Sequence, residues 1–192
     1  MDQPFPGEWG QVFMEPVYRP SDDSYLLQAW VEKLVSGRVL DMGTGSGIQG
    51  VTAAKKKEVS HVTAVDVNPA ALVAAERRAA EERVLGKMDF RLSNLFELVN
   101  ESFDWIIFNP PYLPSEGKHD EHSWSGGPQG GETIRSFLKE APHHLNEGGS
   151  ILMVYSSLTG LTESDFKKYR VEVLEETPLF YETLVCVKLT PS

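Results

Sequence analysis

The sequence predicts an α/β domain built on a doubly wound, mostly parallel seven-stranded sheet that closes with a C-terminal antiparallel hairpin. Three observations predict it. Short apolar runs alternate with helical stretches over most of the 192 residues, a pattern that demands crossover helices and parallel strands. The first apolar run empties into Gly43-Thr44-Gly45-Ser46-Gly47, a glycine turn between a strand and a helix. The last two strand-like runs, 171–175 and 182–189, lie around Thr177-Pro178 with no room for a helix between them, so they pair antiparallel.

Each element follows in order. Residues 1–20 hold Pro4, Pro6, Pro16 and Pro20 among aromatics and read as an irregular leader, with one domain over 21–192. A helix starts near Ser21. Asp22 and Asp23 sit in its first turn, where the dipole favours acids, and Gly37 lies past its end. Tyr25, Leu26, Trp30, Val31 and Leu34 give it an apolar face. Residues 38–42 form a strand, then come the glycine turn and a helix ending in Lys55, Lys56 and Lys57. Residues 61–66 are the second strand. Asn68 and Pro69 then cap and start a helix running to about Arg83. Strands follow at 88–92 and 103–108, the latter bounded by Asn109-Pro110-Pro111. A long loop reaches about Gly131, a helix covers 132–145, a fifth strand 150–155, and a short helix 163–169 precedes the hairpin.

Composition narrows the function. Apolar residues make up 41% of the chain and charged residues 24%, which suits a folded globular domain. No apolar run approaches the ~18 residues of a membrane helix. The start, MDQPFPGEWG, shows no signal peptide. Cys186 is the single cysteine, so an internal disulfide and a zinc–cysteine site are excluded, and a reducing, cytoplasmic setting is expected. Eighteen basic residues against 28 acidic ones leave a net charge of −10. A duplex nucleic-acid binder draws its affinity from phosphate neutralisation, so this balance argues against one.

Two motifs carry chemistry. Gly43, Gly45 and Gly47 let the backbone turn sharply beyond the carboxyl end of a strand, where ligands of open α/β sheets bind. Position 48 is Ile48, so the Gly-x-Gly-x-x-Gly dinucleotide spacing is not met. Asp66 ends the next strand, 21 residues after Gly45. A carboxylate there can accept from both hydroxyls of a ribose, at roughly 1.5–3 kcal/mol per charge-assisted bond. A plain strand-to-helix turn with a strand-end acid is the blander alternative. The second motif is Asn109-Pro110-Pro111-Tyr112. Two prolines stiffen the turn. The Asn109 oxygen and a proline carbonyl can hold both hydrogens of one –NH₂ group, while Tyr112 offers a face to a planar π system. An amide or base nitrogen is a poor nucleophile, and two acceptors orient it and stabilise the charge that develops as it attacks.

Together with Asp66-Val67-Asn68-Pro69, these motifs resemble class I S-adenosylmethionine-dependent methyltransferases that modify a planar –NH₂ nitrogen, and most of all the HemK-like release-factor glutamine methyltransferases. Val17-Tyr18-Arg19-Pro20-Ser21-Asp22-Asp23-Ser24 is similar to the leader of their eukaryotic and archaeal branch, which has a Tyr-x-Pro-x-x-Asp-Thr element. The resemblance implies a Rossmann-like methyltransferase fold and S-adenosyl-L-methionine as cofactor. It implies cofactor contacts from Ser24, Gly45 and Asn109, with Asp41 and Gly43 at the methionine part, Asp66 at the ribose, and Asn94 and Leu95 at the adenine. It implies that Asn109 and Pro110 hold the target amide, with Pro111 and Tyr112 beside it. Asn94 departs from the family's usual aspartate but keeps one acceptor oxygen. The implied substrate is a glutamine in the Gly-Gly-Gln loop of a peptide release factor, and the implied partner a small zinc-binding activator protein. An exocyclic base amine of a nucleic acid is the alternative substrate, and a catalytically idle cofactor-binding partner protein is the third reading.

Three further features have plainer readings. The 19-residue loop 113–131 follows the turn directly and reads as a lid, with a linker as the alternative. His119 and His122 lie in that glycine-rich loop and read as solvated residues rather than metal ligands. His143 and His144 read as partners of a helix dipole, and Cys186 as core.

Overall fold

The computed structural model describes residues 17–111 and 131–192. The described residues form four α-helices and seven strands. They are α1 (Asp22–Leu34), β1 (Gly37–Met42), α2 (Ile48–Lys55), β2 (Val59–Asp66), α3 (Pro69–Glu81), β3 (Met88–Leu92), β4 (Phe103–Phe108), α4 (Glu132–Glu140), β5 (Leu145–Ser156), β6 (Tyr169–Pro178) and β7 (Thr183–Pro191). The sheet order is β3-β2-β1-β4-β5-β7-β6. β1 through β5 run parallel, and β7 is antiparallel to both β5 and β6. The doubly wound sheet with a terminal hairpin is therefore present as expected.

The central strands are buried on both faces, which explains why they read as unbroken apolar runs. Alternate residues feed two cores. Leu40, Met42, Ile106 and Phe108 pack under α4 with Phe137, Ile134 and Phe96. Val39, Ile107 and Leu152 pack on the other face under α1 and α2, with Leu27, Val31 and Val51. Cys186 lies in this second core, where burial pushes its thiol up to about 12. Among the described residues no helix is long and apolar enough to cross a membrane.

Several boundaries differ from expectation. The helix expected over 132–145 is α4 plus a 3-10 turn, Ala141–His144, and Leu145 already belongs to β5. Pro142 has no N–H to continue the α-helical ladder, and Leu145 pairs with Phe103 in the sheet. His144 stacks on Phe96, with ring centroids 4.3 Å apart. The helix expected over 163–169 is a 3-10 turn closed by a Thr162–Asp165 capping box, and Tyr169 opens β6. β2 starts at Val59, two residues before the expected position. Pro178 ends β6 rather than dividing the strands. Both hairpin strands are longer than expected because β7 pairs on each side.

Candidate active site

The parallel strands deliver their carboxyl ends to one edge, and a cavity of about 270 Å³ opens there. Its wall takes residues from the glycine turn after β1, Asp66 to Asn68 after β2, Ser93 to Leu95 after β3, Asn109 to Pro111 after β4, and the start of α1.

The glycine turn is shaped by backbone angles only glycine adopts cheaply. Gly43, Gly45 and Gly47 have φ of +63°, +53° and +79°. Gly47 also lies so close to α3 that a Cβ there would meet Ala75 Cα at 2.8 Å. Thr44 N donates to Val65 O at 2.9 Å, tying the turn to β2. Asp41 sits behind it. Its Oδ2 accepts from Thr44 Oγ1 at 2.6 Å and from Gly50 N at 2.8 Å. It is almost fully buried, and burial pushes its carboxyl up to about 7 against those two donors. Asp41 thus stands behind the cavity wall, holding the turn, while Gly43 and Gly45 form the wall.

Asp66 reaches the cavity from the end of β2. Its Oδ2 accepts from Gly45 N at 2.8 Å and its Oδ1 from Asn68 N at 2.9 Å. Burial raises its pKa while these backbone donors lower it. Asn94 and Leu95 form the adjoining wall. Leu95 holds a left-handed φ of +47°, with its carbonyl accepting from Ser93 Oγ at 2.9 Å. Asn94 donates to Glu97 Oε1 at 3.1 Å, which leaves its amide oxygen on the acceptor side.

Asn109 meets α1 across the cavity. Its Nδ2 donates to Asp23 Oδ2 at 3.1 Å and to Ser24 Oγ at 3.3 Å. Asp23 is itself held, since its Oδ1 accepts from Ser24 N at 2.6 Å and from Tyr18 OH at 3.0 Å. Burial and this carboxylate raise the Tyr18 pKa, so the phenol stays a donor. With the nitrogen engaged by a carboxylate, Asn109 is left with Oδ1 as a buried acceptor that has no partner among the described residues. Gln49 repeats the arrangement. Its Nε2 donates to Ser24 O at 2.8 Å, and its buried Oε1 is likewise unpartnered.

The structure thus brings Ser24, Gly43, Gly45, Asp66, Asn94, Leu95, Asn109, Pro110 and Pro111 onto one wall. Tyr112, most of the loop at 113–131, His119 and His122 lie outside the described residues. Gln49 joins the site without a signal in the sequence, and Asp23, the acid of the Tyr-x-Pro-x-x-Asp-Thr element, joins it with no role assigned from the sequence. Asp23 reads from sequence as a first-turn acid, yet it is 4% exposed. The signal was available, because Asp23, Leu26, Leu27, Trp30 and Val31 share one helical stripe.

The wall has a definite preference. Asp23 and Asp66 contribute carboxylates, and no Lys, Arg or His is among its described residues. A pyrophosphate would find no cation there. A positively charged ligand with hydroxyl and amine donors matches Asp66 and the spare acceptor on Gln49. The residues present therefore fit S-adenosyl-L-methionine.

Comparison with known proteins agrees. Residues 21–181 match the family model described as "Methyltransferase small domain". The Methanocaldococcus jannaschii chain named "Putative protein N5-glutamine methyltransferase" is 34% identical over 180 residues, covering 89% of this chain and 90% of that one. The release factor glutamine methyltransferase of Cereibacter sphaeroides is 32% identical over 168 residues, covering 79% of this chain and 59% of its own length. The ribosomal protein L11 methylase of Lactobacillus delbrueckii shares the fold with a TM-score of 0.66 at 19% identity, covering 88% of this chain and 79% of that one. The chain belongs to the methyltransferase small domain family and is a methyltransferase.

Proposed function

We propose that this chain transfers the methyl group of S-adenosyl-L-methionine to the side-chain amide nitrogen of a glutamine in the Gly-Gly-Gln loop of a peptide release factor. The observation that carries this reading is the Asn109 amide, fixed through its nitrogen by Asp23 and Ser24 so that its oxygen remains as an acceptor. The kinship with N5-glutamine methyltransferases and the net charge of −10 support a protein rather than a nucleic-acid target.

When bound, the cofactor supplies an electrophilic methyl on a cationic sulfur. Asp66 would hold its ribose, Asn94 and Leu95 would flank its adenine, and Ser24, Gly43 and Gly45 would line the rest. Asn109 Oδ1 and the Pro110 carbonyl would accept the two N–H bonds of the glutamine amide, with Pro111 and Tyr112 beside it. Held this way, the nitrogen faces the methyl and its developing positive charge meets two oxygens. The cofactor held by these residues would supply the methyl group, and the amide nitrogen, once methylated between its two acceptors, would pass one proton to water. Two acceptors suffice, because the nitrogen sheds its proton only after it has become cationic. Asp41 would act through the turn it holds, by keeping Gly43 and Gly45 in place. A small zinc-binding activator is part of this reading, and exposed Leu92 on the outer strand β3, with Leu98 nearby in sequence, offers an apolar edge.

Incubation with methyl-labelled cofactor and a panel of release factor, RNA and DNA tests the assignment. Label on a release-factor glutamine is the expected result. Label on RNA or DNA alone would overturn it in favour of a base amine, a reading that the 30% identity to a Haemophilus influenzae ribosomal RNA small subunit methyltransferase keeps in play.

A further inference from the structure

The tip of the β6–β7 hairpin is apolar where it should not be. Phe180 is 89% exposed and Tyr181 84% exposed, and the two rings pack edge-to-face with centroids 4.6 Å apart. Leu179 and Leu158 are also exposed. Ser157, the residue before Leu158, accepts from Thr183 N at 3.0 Å, at the base of the tip. The tip is closed by a backbone bond from Leu179 N to Glu182 O at 2.7 Å. Side chains this large, grouped and uncovered, mark a contact surface more often than chance.

Its position gives it a use. β7 runs opposite to β5, so the end that starts at Thr183 lies beside Ser156, at the carboxyl edge of the parallel strands. Asn109 to Pro111 leave the same edge at the end of β4. Only β5 and β7 intervene in the sheet order, a lateral offset of roughly 10–15 Å at the usual strand spacing. A macromolecule that reaches the cavity with one extended loop brings its body over this tip.

The charge around the tip selects the occupant. Glu176 and Glu182 flank the tip, and no basic residue lies between Arg170 and Lys188. Glu172 pairs with Lys188 at the far end of the hairpin, and Glu175 accepts from Trp30 Nε1 at 2.8 Å. Phosphates would be repelled here. A protein surface with Lys or Arg next to an apolar patch complements it, and Arg in particular stacks on exposed aromatic faces. We propose that Phe180 and Tyr181 form the docking anchor for a basic, partly apolar surface on the body of the protein substrate, an inference that rests on the amide-methylation reading above.

The test compares the wild-type chain with the double variant Phe180→Ser, Tyr181→Ser on two substrates, a full-length release factor and a short Gly-Gly-Gln peptide cut from it. Exposed aromatic anchors dominate interface energy, so KM for the full-length protein is expected to rise about tenfold or more with kcat within about twofold. The peptide is expected to react at the same kcat/KM with both enzymes. Raising the salt concentration is expected to raise the wild-type KM for the full-length protein and to leave the peptide unaffected. An unchanged KM for the full-length protein in the double variant overturns the inference, as does an equal loss on the peptide. Sedimentation that shows a wild-type dimer turned monomeric by the double variant overturns it in favour of a second copy of this chain. If the wild-type enzyme labels RNA or nothing, the amide reading fails and takes this inference with it. If it labels the release factor and the double variant matches it, this inference alone fails.

Discussion

Asp23 is the residue on which the orientation of Asn109 turns, and Asp23→Asn is the change that isolates it. The substitution keeps the shape and an oxygen for Tyr18 OH and Ser24 N, which Asp23 Oδ1 now accepts. It replaces Oδ2, the acceptor of Asn109 Nδ2 at 3.1 Å, by a donor. Two NH₂ groups then face each other, and the Asn109 amide turns its nitrogen toward the substrate. A hydrogen bond to a charged group contributes about 1.5–3 kcal/mol. If that energy is expressed in the transition state, kcat/KM falls roughly 10- to 150-fold. The assay is initial-rate methyl transfer at saturating cofactor, with the thermal midpoint measured in parallel. Asp22→Asn serves as the control, since Asp22 is an exposed acid of the same helical turn. It tests the dipole contribution alone, which is worth less than about 1 kcal/mol at an exposed site. Equal activity in the two variants would refute the positioning of Asn109 by Asp23.

Three further outcomes follow. Asp66→Ala removes an acceptor for two ribose hydroxyls and should weaken cofactor binding at least about 100-fold by calorimetry; an unchanged affinity would remove Asp66 from the site. Gly47→Ala forces a side chain onto φ +79° and into Ala75 at 2.8 Å, so at least about 2 kcal/mol should be lost, seen as a lowered thermal midpoint; an unchanged midpoint would contradict the close approach of α2 and α3. Asp41 binds its proton more tightly when folded, at about 7 against an ordinary 3.8. Between these values the folded state holds the extra proton, so this group makes stability fall as pH rises and level off above about 7, with an upper bound of about 4 kcal/mol. Asp41→Asn keeps an acceptor for Thr44 and Gly50 without the charge, so its denaturation midpoint relative to wild type should improve from pH 5 to pH 8. A difference that does not change with pH would contradict the buried state of Asp41.

How much of this was legible in the sequence depends on which force set each feature. β4 carries the expected bounds, because an apolar run buried on both faces ends where burial ends. The half-exposed edge strand β3 keeps its expected bounds without that burial. The start of β5 was hidden. Leu145-Asn146-Glu147-Gly148-Gly149 is polar and turns through φ +77° at Gly148, yet Leu145 pairs with Phe103. A long-range pairing of that kind leaves no local pattern. In the site, the glycine turn and Asp66 were legible because spacing alone places them at one sheet edge. The roles of Asp41 and Asp23 were not, since both depend on which neighbours burial brings together. Asp41 shares a motif with the turn but faces Thr44 and Gly50. Asp23 lies 86 residues from the Asn109 it orients.

In the proposed reaction Asn109 presents an oxygen to an amide NH₂, and the methyl ends on that nitrogen. Tandem mass spectrometry of a release factor, after timed incubation with labelled cofactor and either the wild-type or the Asn109→Ala enzyme, tests it most directly. A single methyl on a glutamine side-chain nitrogen is expected, formed at least about 100-fold more slowly by the variant. Label at any other atom, or equal label from the two enzymes, would contradict it.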